Sequence, residues 1–200
     1  MKVITLSPKA LQEDAYRLAD DIRTSHSQID MIIGIATGGA YISRHIHDRF
    51  TMYGWQGCYR EISLSRSSTQ TKERIGISRL FTLLPYPVLD LLRRIEASYH
   101  ALKKPAKAPV SSQHPLHLPE KTEEEIRKAE KVLIIDDAVD TGATLLRLVH
   151  TIKHINPEVK ITTAVLTVTQ KTPYIIPDYT RYKDTLLRCP WAMDYKGAHV

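Results

Sequence analysis

Three carboxylates and two hydroxyls fall within nine residues: Asp136, Asp137, Asp140, Thr141 and Thr144. Paired carboxylates can accept hydrogen bonds from sugar hydroxyls or hold a hard divalent cation, and hydroxyls can donate to a phosphate. The surrounding residues supply the frame this chemistry needs. The apolar run 132–135 (Val-Leu-Ile-Ile) is too short for a helix and reads as a buried parallel strand. Gly142 permits a tight turn. From Ala143 onward, Leu145, Leu148, Val149, Ile152 and Ile155 recur at helical spacing, so a helix starts there. Amide groups at that start, with Thr141 and Thr144, form a cup for a phosphate. The acidic pair sits beside the cup at the carboxyl end of the strand. A ribose 5-phosphate suits both.

The rest of the chain is consistent with such a site. Two hundred residues suffice for one domain with an appended piece. With 42% hydrophobic and 25% charged residues the chain is globular rather than disordered. A formal charge of +6 favours anionic partners, small phosphorylated metabolites before nucleic acid. Cys58 and Cys189 are too few and too far apart for a disulfide scaffold or a cysteine-based zinc site. No run approaches membrane-spanning length and the first residues lack the apolar core of a signal peptide, so a cytoplasmic location is expected.

Further elements follow from local patterns. Ser7 is placed to cap a helix carrying Leu11, Ala15, Leu18, Ala19 and Ile22. Residues 31–35 form a second short apolar strand that runs into Thr37-Gly38-Gly39, with a helix near 42–50. Strands are also expected near 57–64 and 161–169. Alternation of strands and helices implies an α/β fold with a largely parallel sheet. The stretch 65–74 is polar, lacks a packing stripe and reads as a loop, with a lid role for Lys72 and Arg74. Val88, Leu91, Leu92, Ile95, Tyr99 and Leu102 make one apolar helical stripe, expected to pack on its own domain or on a subunit. Residues 104–121 contain four prolines and read as an exposed linker. Thr122 to Glu125 suggest a capping box opening a short helix. His150 and His154 are expected on the exposed face of the helix after Gly142.

The ordered pattern of apolar strand, Asp136-Asp137, short spacer, Thr141-Gly142-Ala143-Thr144 and helix resembles the phosphoribosyl-pyrophosphate (PRPP) motif of the type I phosphoribosyltransferases. The resemblance implies that Asp136 and Asp137 bind the ribose hydroxyls and touch Mg²⁺, the implied cofactor. It implies that Asp140, Thr141, Gly142, Ala143 and Thr144 hold the 5′-phosphate, and that Asp140 handles a proton at the base. Thr37, Gly38 and Gly39 are similar to the family's pyrophosphate loop, although the purine enzymes often place Arg where Thr37 stands; Lys72, Arg74 or Arg44 could supply that cation. Lys171, following the strand near 161–169, matches the lysine that reads the base carbonyl in the 6-oxopurine branch. The segment 184–193 resembles the xanthine–guanine branch, which puts Leu186 and Arg188 at the base in place of Trp and an acid. Trp191 is expected chiefly in the core. Asp194 matches an acid near a second metal.

The resulting expectation is a single domain over 1–200 of the type I phosphoribosyltransferase class. It has a central parallel sheet flanked by helices, a helical insertion with a Pro-rich linker at 77–121, and a small C-terminal hood at 171–200. The implied reaction moves the phosphoribosyl group of PRPP to a nitrogenous base, a 6-oxopurine, and releases pyrophosphate. The implied assembly is a homodimer or higher homo-oligomer, with neither membrane nor nucleic acid as partner. The alternatives are a PRPP-sensing, nucleic-acid-binding regulator on the same fold and a transferase for a non-purine base.

Overall fold

The computed structural model describes residues 1–25, 28–64, 84–102 and 115–197. Five parallel strands make the main sheet in the order β3-β2-β4-β5-β6: β2 (Met31–Ala36), β3 (Cys58–Ser63), β4 (Lys131–Val139), β5 (Lys160–Val168) and β6 (Tyr179–Lys183). A second, two-stranded parallel sheet joins β1 (Lys2–Thr5) to β7 (Thr185–Arg188). The helices are α1 (Pro8–Ser25), α2 (Gly38–Met52), α3 (Tyr86–Leu102), α4 (Glu120–Lys128) and α5 (Ala143–Ile155).

Alternation along the central strands divides the interior into two cores. Ile32, Leu133, Ile135, Ala164 and Leu166 face the stripe of α1 (Leu11, Ala15, Leu18, Ile22) and Ile42 and Ile46 of α2. Met31, Ile33, Val132, Ile134 and Val165 face Ile126 of α4 and Leu145, Leu148 and Ile152 of α5. Residues 132–135 are fully buried, and each such side chain contributes about 1.5–3 kcal/mol by leaving water. This two-sided burial explains why their sequence shows no polar alternation. Ser7 caps α1, its Oγ accepting from Ala10 N at 3.2 Å.

The structure departs from the sequence expectations at several element boundaries. The strand β4 extends through the acidic pair to Val139, because Asp136 and Ala138 stay in register with Val165 and Thr167. The 171–200 segment divides: β6 extends the main sheet, and β7 pairs with β1, a strand that sequence reasoning did not assign. The helix α4 begins at Glu120, after Pro119 at φ −55°, so Thr122 is buried in its first turn instead of capping it. The Pro-rich stretch is not wholly exposed, since Leu118 is buried and Leu116 packs against the α4–α5 core. The polar stretch 65–74, with Lys72 and Arg74, lies outside the described residues.

The inserted helix α3 does not bury its apolar stripe against the described part of its own domain. Its apolar stripe faces outward: Val88, Leu91, Leu92, Ile95 and Tyr99 are exposed, and Leu89 is buried instead. The helix is held by charge. Arg93 donates to both oxygens of Asp194, and Asp90 accepts from Arg188 at 2.7 Å. The Arg188 guanidinium lies 4.4 Å above the Tyr86 ring.

Candidate active site at the carboxyl ends of the strands

The carboxyl ends of β2, β4 and β5 converge, as parallel sheets place their ligand sites. The peptide Ala36–Thr37 is cis, and Thr37 precedes α2 without making a side-chain cap. Gly38 and Gly39 then pass directly against the acidic pair. A Cβ on Gly38 would fall 2.0 Å from Asp137 Oδ2, and one on Gly39 would fall 2.8 Å from Asp136 Cα. The second obstruction is backbone, which cannot step aside, so only glycine lets α2 start this close to β4. The Asp136 carboxylate accepts from the Asp137 amide at 2.9 Å, which fixes it at the strand end.

On the other side of the pair, Gly142 adopts φ +82°, the left-handed region that a side chain would strain. The Thr141 hydroxyl accepts from Ala143 N at 3.3 Å, and the first helical bond of α5 runs from Leu146 N to Gly142 O. The amides of Thr144 and Leu145 therefore precede the helical ladder, at the positive end of the helix. Asp140, Thr141, Gly142, Ala143 and Thr144 wrap this end. The Thr169 hydroxyl donates to Asp140 Oδ1 at 2.5 Å, tying the ends of β4 and β5 together.

A cavity of about 280 Å³ opens beside these residues, lined by Asp137, Asp140, Thr167, Thr169 and, from the C-terminal segment, Leu186, Leu187, Cys189 and Trp191. Trp191 is stacked on Tyr41, with ring centroids 5.1 Å apart and planes 8° from parallel. It thus braces α2 and faces the cavity at once. Cys189 is inert: burial, reinforced by Asp137, pushes its thiol up to about 12. Arg93 of α3 also lines the cavity, a residue that sequence reasoning missed. It lies off the apolar stripe, and its partner, Asp194, is 101 residues away.

Three expected site residues are placed elsewhere and are corrected. Arg188 does not face the base cavity. Its side chain is 1% exposed and donates to Asp194, Asp90 and Thr5 Oγ1 at 2.9, 2.7 and 2.9 Å. Burial opposes its charge, but the bonds to Asp194 and Asp90 outweigh that and raise its pKa. Asp194, expected near a second metal, is instead engaged at both oxygens by guanidinium groups. Burial pushes Asp194 up, but Arg93 and then Arg188 hold it at about 2. Lys171 lies three residues past the end of β5, is exposed, and lines a separate depression of about 440 Å³ with Lys183 and Asp184. Arg44, considered as a replacement cation, is engaged by Glu61 at 2.6 and 2.7 Å.

The metal-binding capacity is partial. No group of three or more His, Cys, Asp or Glu side chains able to hold a metal occurs among the described residues. Asp136 and Asp137 nevertheless offer hard carboxylate oxygens. One or two carboxylates completed by substrate phosphates are the usual ligand set for Mg²⁺, so the pair fits a cation that arrives with a diphosphate.

Among curated proteins, none matches this chain by sequence. Solved structures share its fold. The purine phosphoribosyltransferase from Pyrococcus horikoshii Ot3 is 18% identical, with a TM-score of 0.57 over 96% of this chain and 95% of that one. The Helicobacter pylori xanthine-guanine-hypoxanthine phosphoribosyltransferase is 12% identical, with a TM-score of 0.56 over 94% of this chain and 92% of that one. A hypothetical protein from Neisseria gonorrhoeae with bound ppGpp is 15% identical, with a TM-score of 0.52 over 95% of this chain and 89% of that one. The family model for the phosphoribosyl transferase domain matches residues 6–191. A match of that extent, on a parallel sheet whose strand ends carry the acidic pair and the helix-start cup, places the chain in the phosphoribosyl transferase domain family, as an enzyme of PRPP-dependent pentosyl transfer.

Proposed function

We propose that the acceptor is a nitrogenous base of the 6-oxopurine class, bound in the cavity of about 280 Å³, and that Mg²⁺ accompanies PRPP. One observation carries the reading: the Gly38–Gly39 start of α2, the Asp136–Asp137 pair and the start of α5 meet at one end of the sheet, with a cavity opening next to them that Leu186, Leu187 and Trp191 help to wall. The cavity lies near the lower end of the usual range for small-molecule sites, about 300–1,000 Å³, and suits a planar heterocycle.

The roles follow from the chemistry of each group. The amides at the start of α5 and the hydroxyls of Thr141 and Thr144 hold the 5′-phosphate. Asp136 and Asp137 accept from the ribose hydroxyls, and their negative charge stabilises positive charge developing on the sugar. The amides at Thr37, Gly38 and Gly39 meet the departing pyrophosphate. When bound, Mg²⁺ neutralises charge on that diphosphate, and Asp136 and Asp137 are the residues that would hold it. Asp140, at the cavity rim, accepts the proton of the incoming base nitrogen. Leu186 and Trp191 cover the base faces. Holding sugar and base against one another lowers the entropic part of the barrier.

Calorimetry of PRPP with Mg²⁺ tests the phosphate and ribose sites. Asp137→Asn and Thr144→Val each remove one hydrogen bond to a charged group or one acceptor. Binding is expected to weaken roughly tenfold or more in each, with the thermal transition little changed. Unchanged affinity in both variants overturns the assignment. Nucleotide formation from PRPP and a panel of bases tests the acceptor.

A further inference from the structure

The cavity is bipolar. Asp137 and Asp140 lie along the ends of the sheet strands, and Arg93 lines the cavity from the inserted helix α3. Among the described lining residues Arg93 is the one cation. Its Nε and Nη2 donate to Asp194 Oδ2 and Oδ1 at 2.8 and 2.5 Å, and Nη1 donates to the Leu187 carbonyl at 3.0 Å. These bonds use the Nε–H and one N–H of each terminal nitrogen, which leaves a second N–H on each.

The group is also held still. Asp194 is gripped by the buried Arg188, which is itself fixed by Asp90 and Thr5. A planar donor anchored at all three of its nitrogens before any ligand arrives is a preorganised reader of acceptors. Two arginines and two aspartates cancel in net charge, so Arg93 acts through the direction of its N–H groups more than through a long-range field.

We propose that Arg93 determines base specificity, and that it selects oxo-bases: heterocycles presenting a carbonyl oxygen to the α3 side of the cavity over those presenting an amino group there. This rests on the reading above that the cavity holds the base. A carbonyl accepts from the fixed N–H groups. An amino group meets them donor to donor, and leaves both partners unsatisfied in a partly buried site. For two purines that differ by an oxo or an amino substituent at the position facing Arg93, the oxo base is favoured: xanthine over guanine, or hypoxanthine over adenine.

The experiment compares kcat/KM for xanthine, hypoxanthine, guanine and adenine, with PRPP and Mg²⁺, in the wild type, Arg93→Gln and Arg93→Lys. The wild type is expected to rank xanthine first and adenine last. In Arg93→Gln, whose amide both donates and accepts, the xanthine-to-guanine ratio is expected to fall roughly tenfold. Arg93→Lys keeps the charge without the planar edge, and is expected to fall between the two. Guanine or adenine first in the wild type overturns the inference, with no need of a folded variant. A ratio unchanged in Arg93→Gln overturns it as well. Formation of nucleotide from no base, with PRPP still bound, overturns the base-cavity reading and Arg93's role together. Nucleotide formed with the wrong ranking overturns only the latter.

Discussion

The strand end of β4 and the inserted helix α3 border one cavity and are built by opposite means. At β4–α5 the backbone does the positioning. A glycine at φ +82° turns the chain, two further glycines admit α2 against the acids, and the helix start presents its amides. The polar side chains there are not what holds the elements together, and the apolar run beneath them, 132–135, carries the fold. At α3 the side chains do the positioning. Arg93, Asp194, Arg188 and Asp90 form a chain of four charges through a largely buried region, while Val88, Leu91, Leu92, Ile95 and Tyr99 of the apolar stripe are exposed and Leu89, outside that stripe, is the buried residue. The difference teaches where function and stability separate. A charge at the strand end can be removed at the expense of chemistry, whereas a charge in the α3 network holds other charges in place.

The sharpest way to break this contrast is Asp194→Asn. It removes the carboxylate shared by Arg93 and Arg188, the latter 1% exposed. Breaking a buried ion pair from one side costs about 3–5 kcal/mol, because the remaining charge keeps its desolvation penalty without its partner. Urea unfolding is expected to show a loss of that order. Asp137→Asn, a single carboxylate on the opposite wall, is expected to unfold close to the wild type. Equal losses in the two variants would mean that the network and the strand end are not different in kind.

A milder perturbation titrates the same carboxylate. Asp194 is held at about 2 in the folded chain, against 3.8 as its ordinary value. Its folded-state value is depressed, so its contribution is complete above 3.8 and is lost as pH falls through about 2, because between the two values the unfolded chain binds the proton and the native one largely does not. The gap corresponds to about 2 kcal/mol. Urea midpoints measured at a series of pH values across that window should fall, and a flat profile would remove Asp194 from the acid response.

This contrast also explains what could be read from the sequence. The β4–α5 region was legible because its parts are consecutive: a strand, acids, a turn glycine and a helical period within 24 residues, each with a local signature. Leu11 to Ile22 and the Ser7 cap were legible for the same reason. The α3 network was not, since Arg93 meets Asp194 across 101 positions and Arg188 meets Thr5 across 183. No local period marks a charge pair of that separation. Alignment to a familiar pattern placed Arg188 at the base, yet packing of β7 on β1 turned it into the interior and left Arg93 at the cavity wall. Likewise β1 was missed because Lys2–Thr5 is only four residues long and finds its partner at the far end of the chain.

The smallest effect expected lies between the two regions, at Thr169. Its hydroxyl donates to Asp140 Oδ1 at 2.5 Å, and its amide donates to Val139 O at 3.0 Å. Thr169 is buried, whereas Asp140 is exposed at the cavity rim. In Thr169→Val the shape is kept and one hydrogen bond to a carboxylate is lost. Water can replace it on Asp140, so the expected loss of stability is about 1 kcal/mol or less. The functional loss is of another kind, because a carboxylate solvated by water samples more orientations than one tied to the end of β5. We expect kcat to fall roughly fivefold with PRPP affinity unchanged, and Thr169→Ser to restore it, since serine keeps the donor and gives up only a methyl group. A fall in PRPP affinity instead would assign Thr169 to the phosphate side of the site. An unchanged kcat would show that Asp140 is oriented by β4 alone, and that the tie between the strands belongs to the fold.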